Sequence, residues 1–430
     1  MDWFTPPIGR EKRRKVDSRT ALSETVPGRR HQHLDSVRGL AAAIVVSVHF
    51  LAAFLPYAVG LNRGPYPAHS SFDVLFWFPP LHVLAASHFA VSLFFLLSGY
   101  VLSLPYLGQG NTRSRILGAA AKRPVRLGGL TALSALACAG LWYAGAFHNV
   151  AAAEITGSQQ WFGLFWGNDF SFPRAMRDLS TSLFTLGKRY NPPLWTMRYE
   201  LYGSLLIFAY LFCFGSFRYR LLAAAVLAWL FRGSNYQAFF LGAVLADPQT
   251  RRVFAMPPAP RRAFLWILLL AGMFFLYVPA MYKVGNTSFP RDAFRPLLLL
   301  FGGDHALSAA FFLFTFLLVN DSLQEKLASR WLVSLGNISF AVYMLHFPVL
   351  GSFTAWLFLR LSPHMAYGLC ALLAILASMA LILPLSWAAT KFVDAPCIRL
   401  ASRIGSLVSG LVRLKTRGGE IGSEREHGVA

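Results

Sequence analysis

Arg38 and His49 stand eleven residues apart in HLDSVRGLAAAIVVSVHF, residues 33–50, a stretch that otherwise reads as a membrane-spanning helix. A charged group near the bilayer centre costs ~2.5–3.5 kcal/mol on insertion scales, so such residues face a cavity or a partner. At ~100° and ~1.5 Å per residue, eleven residues make three turns plus about 20°, which puts both side chains on one face, ~16 Å apart. Arg38 is expected at one membrane boundary and His49 near mid-depth, lining one groove. A guanidinium pairs with phosphate in a fixed fork, and an imidazole exchanges protons near neutral pH. Snorkelling of Arg38 and an interhelical hydrogen bond from His49 explain the same residues without chemistry; the shared face favours function.

Four further segments carry polar groups in apolar surroundings. FFLLSGY, residues 94–100, holds the small pair Ser98 and Gly99, which lets a second backbone or a ligand approach closely; helix packing is the simpler reading. KRPVR gathers Lys122, Arg123 and Arg126 at the start of an apolar run, either as a topology signal or as a phosphate-binding patch. NPPLWTMRYELYGSLL brings Glu200 into the membrane a turn and a half after Trp195, and Arg198 lies on the opposing side of that helix. Glu200 therefore needs a partner from elsewhere. LGNISFAVYMLHFPVL places His346 near mid-depth, with Ser339 and Tyr343 on roughly the same face. Two histidines at one depth with one carboxylate form a constellation, but the repeated acidic residues of ion coupling are missing.

These residues need elements to hold them, and composition says which. Of 430 residues, 55% are hydrophobic and 14% charged, where a soluble domain carries about a quarter charged. Apolar runs long enough to cross a ~30 Å hydrocarbon core, which takes ~20 residues, recur along the chain. The expected fold is all-α: a polytopic transmembrane helical bundle of about ten spans, near 37–58, 84–106, 124–147, 194–214, 217–231, 235–247, 263–282, 301–320, 335–359 and 366–393. The fifth and sixth are short, and a re-entrant pair is the alternative for them. Of the 40 lysines and arginines, 29 fall on one set of alternate loops and tails, ten on the other, and Arg198 within the fourth span. Cytoplasmic loops retain such residues, so both termini are expected in the cytoplasm.

The net charge of +21 follows this loop pattern and argues against nucleic acid as a partner. Residues 1–32 read as a basic disordered tail whose REKRRK block suits anionic lipid headgroups, and the polar chain over 401–430 reads as a second cytoplasmic tail, irregular from 410. Residues 33–400 form the membrane domain. No early apolar core marks a cleavable signal peptide. The aromatic stretch WFGLFWGNDF in the loop near 148–193 suits the membrane interface. Cys138, Cys213, Cys370 and Cys397 lack metal-ligand spacing, so no metal site is expected.

Taken in order, these segments resemble the acyltransferase-3 family of integral membrane acyltransferases, from about His33 to Arg399. Arg38 and His49 match its Arg-x10-His first helix, FFLLSG its FFxxSG element, and KRPVR the basic start of its third helix. LWTMRYE is similar to its Trp-x4-Glu segment, LGNISFAVYMLHFPV to its Gly-x-Ile-Ser…His-x-Pro helix, and FVDAPCIRL, with Asp394 and Pro396, to its terminal signature. Family members often carry two adjacent carboxylates after the Trp; here Leu201 follows Glu200, so one is carried over. The expected member is one without the hydrolase-like C-terminal extension that some members carry.

The resemblance implies O-acylation, with O-acetylation and polysaccharide modification as the usual outcome. An acyl group moves from acyl-coenzyme A, a donor co-substrate with no tightly bound cofactor, to a hydroxyl of a carbohydrate, glycolipid or other small acceptor, glycan or lipid-linked. The default location is a bacterial inner membrane. On this reading His49 is the general base, Arg38 with Arg123 and Arg126 binds donor phosphates, and Ser98 and Gly99 border the donor. Glu200 binds acceptor hydroxyls or orients a histidine, and Trp195 and His346 support the site. A covalent acyl-Ser98 route lacks a histidine at helical contact spacing. The rival class is a transporter or exporter of a glycolipid or small solute, which would more often show internal repeats or matched broken helices; no convincing repeat is present. A pure scaffold is harder to reconcile with intramembrane Arg, His and Glu.

Overall fold

The computed structural model describes residues 31–61, 71–109, 113–166, 173, 191–283 and 295–427. The basic block at 10–15, with the rest of the chain before 31, and residues 167–190 other than Pro173 lie outside the described residues. Among the described residues every regular element is helical and no strand occurs. In chain order the α-helices are α1 Gln32–Phe54, α2 Ser87–Ser103, α3 Arg113–Tyr143, α4 Asn149–Thr156, α5 Trp195–Phe214, α6 Arg220–Leu230, α7 Tyr236–Ala246 and α8 Pro248–Phe254. They continue as α9 Pro258–Lys283, α10 Arg295–Leu300, α11 His305–Val319, α12 Asp321–Leu327, α13 Arg330–Val349, α14 Ala355–Leu361, α15 Tyr367–Ala389 and α16 Ala395–His427.

Five of these segments are long and apolar enough to cross a membrane: Gln32–Phe54, Arg113–Tyr143, Pro258–Val278, Arg330–Leu361 and Tyr367–Leu414. Large apolar side chains such as Trp266 and Leu270, both 63% exposed, point away from the bundle, the arrangement of a helix whose solvent is lipid. This is a helical membrane protein. Of the other expected spans, the fourth matches α5 within a residue and four are shorter than expected. The second is the 17-residue α2, and the fifth and sixth are the 11-residue α6 and α7. At ~1.5 Å per residue, 11 residues reach ~16 Å, about half a hydrocarbon core. The eighth is the 15-residue α11, bent 95° from α12.

Several ends meet at one basic face of the bundle. The Gly108 N–H donates to Gly215 O at 3.4 Å, joining the ends of α2 and α5. Arg220 at the start of α6 pairs with Asp247 at the end of α7 at 2.7 Å, and Ser36 of α1 donates to Leu327 O of α12 at 2.5 Å. Helices α2, α5 and α7 thus end where α1, α6 and α13 begin.

The α1–α13 contact sets the site. A Cβ on Gly39 would come 2.7 Å from Gly336 N, and one on Gly336 would collide with Asp35 O. Two glycines let the backbones touch there. His49 meets His346 at the same sequence separation, 297 positions, so the two helices run parallel and in register for ten residues. Gly336→Val is expected to force them apart, costing about 1–3 kcal/mol as an overpacked contact. A lowered unfolding temperature in detergent, together with lost activity, is the measurement.

The tail expected to be irregular from 410 is instead helical through His427. Tyr367–Leu414 forms a 48-residue helical run, ~72 Å long at ~1.5 Å per residue. Its α16 part pairs with α3 through small residues: a Cβ on Gly405 would sit 2.7 Å from Gly118 O, and Ser409 donates to Ser114 O at 3.0 Å. Leu407 and Leu411 face outward. Pro396 has no N–H and would crowd the carbonyl four residues back; the π-helical segment Thr390–Asp394 just before it relieves that clash.

Candidate active site

One cavity of about 350 Å³ opens among α1, α2, α3, α5, α13 and the α15–α16 junction. Its lining includes three guanidiniums, Arg38, Arg123 and Arg126, and three carboxylates, Asp35, Glu200 and Asp394. The basic patch expected from KRPVR is therefore balanced. Arg123 Nη2 donates to Glu200 Oε1 at 2.6 Å, and Ser98 donates to the same oxygen at 2.9 Å. Side-chain exposures of 9% and 14% make this a buried ion pair. Arg38 pairs with Asp35 at 3.0 Å, one helical turn earlier, in a more open setting. Arg123 Nε is buried and has no acceptor. A buried unpaired donor on a cavity wall is where a ligand oxygen gains most.

Three expectations change here. Glu200 orients no histidine, because Arg123 and Ser98 both bond its Oε1 and leave only Oε2 toward the cavity. Gly99 is not a ligand surface: a Cβ there would strike the Phe239 carbonyl, so its missing side chain serves the α2–α7 crossing. Trp195 does not line the cavity; its ring packs edge-on against Tyr199 at 5.7 Å.

His49 and His346 lie beyond the cavity's apolar end and not on its wall, so the single groove expected for Arg38 and His49 is interrupted. They do share a helix face, since both turn toward α13. His49 Nδ1 and His346 Nε2 are 2.7 Å apart, and His346 Nδ1 is 3.0 Å from Val342 O. These contacts assign the protons. A carbonyl only accepts, so His346 Nδ1 carries the hydrogen and, in the neutral ring, Nε2 is the acceptor. His49 must then donate from Nδ1. Its Nε2 is left with the lone pair and has no hydrogen-bond partner among the described residues. The chain of bonds ends in a free base.

Aromatic rings fix the plane of that base. Trp161 lies over His49 at 5.8 Å and 22°, and Phe347 meets it edge-on at 5.1 Å and 83°. Trp161 belongs to the stretch expected at the interface. It turns inward because its loop is anchored: Ser158 donates to Ala52 O at 2.7 Å, and Asn149 donates to Phe162 O and Phe165 O at 2.8 Å. Trp166 stacks on Phe147 at 4.0 Å, and a Cβ on Gly351 would collide with its indole. The loop forms an aromatic cap over the histidines.

Sequence reasoning missed Asn191. Pro348 has no N–H, which frees the Met344 carbonyl one turn back. Asn191 Nδ2 donates to it at 2.8 Å, and so ties the start of α5, with Thr196 and Glu200, to the histidine-bearing helix. The signal was legible only as two facts, an Asn before Pro-Pro and a Pro inside an apolar helix.

If His346 holds the tautomer of His49, His346→Ala should lower turnover ~10–100-fold and leave donor affinity near wild type, because His49 remains but either of its nitrogens can carry the proton. His346→Gln, whose amide can accept from His49 Nδ1, should restore part of the loss. Turnover and donor KM measured separately check this.

Among the described residues no group of three or more His, Cys, Asp or Glu has the arrangement to hold a metal ion. No curated protein and no solved structure matches this chain. A family model described as an acyltransferase domain matches residues 31–387. That match takes in the histidine pair, its aromatic cap and every charged cavity residue except Asp394, and the chain belongs to the acyltransferase-3 family.

Proposed function

We propose that this protein transfers an acyl group from acyl-coenzyme A to a hydroxyl of a glycan or lipid-linked acceptor. The observation that carries the reading is the bond chain from Val342 O through His346 to His49, which leaves His49 Nε2 as an oriented base one helical turn beyond an arginine-bearing cavity. In the reaction the acceptor oxygen bonds to the thioester carbon while its proton passes to His49 Nε2. The carbon–sulfur bond then breaks, and the proton returns to the departing thiolate, giving the ester and free coenzyme A. General base catalysis of this kind contributes ~10²–10⁴-fold. The His49 imidazolium formed in between keeps its Nδ1–H bond to His346.

Arg38, Arg123 and Arg126 are the residues for the donor. Arg123 Nε offers a buried donor for a carbonyl or phosphate oxygen, and Arg126, which is exposed, has no ion pair among the described residues. The donor is a co-substrate and no cofactor stays bound. Ser98 and Glu200 hold Arg123 in place, and Trp195 supports the start of α5.

The same reading sets the chain in a bacterial inner membrane with about ten apolar segments, of which the half-length α6 and α7 form the re-entrant pair and leave the parity of the others unchanged. The basic end of the bundle and both termini face the cytoplasm, residues 1–32 and 401–430 flank the membrane domain 33–400, and surface lipid is the remaining partner. The parallel course of α1 and α13 supports this parity, since the first and ninth spans then cross in one direction.

Isotope-labelled acetyl-coenzyme A, supplied to the purified protein in membrane discs with a total lipid and glycan extract, tests the function. Label should appear in the extract with one free thiol released per transfer. Acceptor movement across vesicles with no donor consumption would instead identify a transporter. Mass spectrometry of surface glycans and lipids from cells with and without the protein names the acceptor.

A further inference from the structure

The cavity and the histidine pair are adjacent but closed to each other. What separates them is Tyr343, which lines the cavity and also packs beside His346 with ring centroids 6.0 Å apart. Tyr343 is 6% exposed and its neighbour Thr196 4%. Thr196 Oγ1 donates to Pro193 O at 2.8 Å, and that uses its single proton. In the 3.1 Å contact between Thr196 Oγ1 and the Tyr343 hydroxyl, the phenol is therefore the donor. Phe94 holds the other side of the ring edge-on at 5.7 Å. The phenol is thus anchored to the start of α5, which Asn191 fastens to Met344 O.

Along α13 the cavity runs from Gly336 to Tyr343, ~10 Å at ~1.5 Å per residue, and His346 lies one turn farther on. A thioester carbon reaching His49 from the arginine end has to pass the Tyr343 ring. Resting on the donor reading above, we propose that Tyr343, anchored by Thr196, is a specificity-determining residue: its ring is the internal partition between donor cavity and base, and sets the size of the acyl group that passes. A phenol held by one hydrogen bond can turn between the rings of Phe94 and His346 when that bond is released, admitting a short acyl group and stopping a long one. The closed ring also keeps acceptor-side water from the thioester.

The test is a competition. Labelled acetyl-, butyryl- and octanoyl-coenzyme A are offered together to the protein in membrane discs with the total lipid and glycan extract, and the ratio of long to short acyl transferred is measured. Wild type is expected to favour acetyl. Tyr343→Ala should raise the octanoyl-to-acetyl ratio at least ~10-fold, the scale on which a pocket discriminates chain length, and should increase thiol release without acceptor. Tyr343→Phe and Thr196→Val keep the volume and remove the anchor, so they should raise the same ratio by a smaller factor. A uniform loss of rate changes no ratio, which separates a structural defect from a partition. If Tyr343→Ala does not fold, the two anchor variants decide the question by the same ratio. An unchanged ratio in the folded variants overturns the partition and leaves the acyltransfer reading standing; wild type that consumes none of the three thioesters overturns the reading beneath it.

Discussion

His49→Ala is expected to lower acyl transfer by ~10²–10⁴-fold, the range for removing a general base, with assembly and membrane insertion unchanged. His49 is half-buried and makes one side-chain hydrogen bond, to His346. Cutting it to alanine therefore exposes no buried partner except His346 Nε2, a neutral acceptor that water can satisfy. The Gly39–Gly336 crossing, ten residues away on the same pair of helices, keeps α1 and α13 together. The loss should fall on turnover while the donor KM stays near wild type, because the donor contacts lie in the cavity and His49 is not on its wall. Label transfer from acetyl-coenzyme A, with monodisperse elution in detergent as the folding control, gives both numbers. Wild-type transfer by folded His49→Ala removes His49 as the base and leaves the ordered bond chain without a catalytic role.

The sequence carries this site in pieces. Helical arithmetic on Arg38 and His49 finds the face of α1 that meets α13, because periodicity is a local property. It also finds His346 at matching depth. What it cannot find is which residue closes on which across the bundle. Glu200 reads as a lone carboxylate needing a partner, and that partner, Arg123, lies 77 positions away on another helix. Gly99 reads more simply as a helix contact than as ligand space, and only the Phe239 carbonyl against it decides between the two.

The aromatic run at 161–166 shows the limit from the other side. Its composition fits a membrane interface, and only the hydrogen bonds of Asn149 and Ser158 turn it inward onto His49. The helical stretch beyond 410 fails for a different reason. A polar, glycine-bearing sequence reads as disorder, but α16 is already formed where it packs on α3 at Gly405 and is still held at Arg413, which donates to Ser114 Oγ at 3.3 Å, and a formed helix propagates more easily than it starts. The short α6 and α7 are legible as weak apolar runs, yet their true length depends on the turn at Gly233, where φ is 77°.

Breaking the Arg123–Glu200 pair from one side should cost ~3–5 kcal/mol, since either single substitution leaves a buried charge without its counterion. Glu200→Leu strands a guanidinium whose Nε already lacks an acceptor, and Arg123→Met strands a carboxylate held only by Ser98. Both single variants should unfold at markedly lower temperature or denaturant concentration than wild type. The double variant Arg123→Met with Glu200→Leu replaces the pair by apolar groups of similar size, and such exchanges are often neutral or stabilising. Its stability should return toward wild type. Its activity should not, because the donor would lose Arg123 while His49 and His346 stay intact, so the donor KM rises with the aromatic cap and the bond chain undisturbed. Stability and donor binding are thereby read from one cycle. Recovery of both in the double variant would make the pair a purely structural brace, whereas recovery of stability alone assigns Arg123 to the donor.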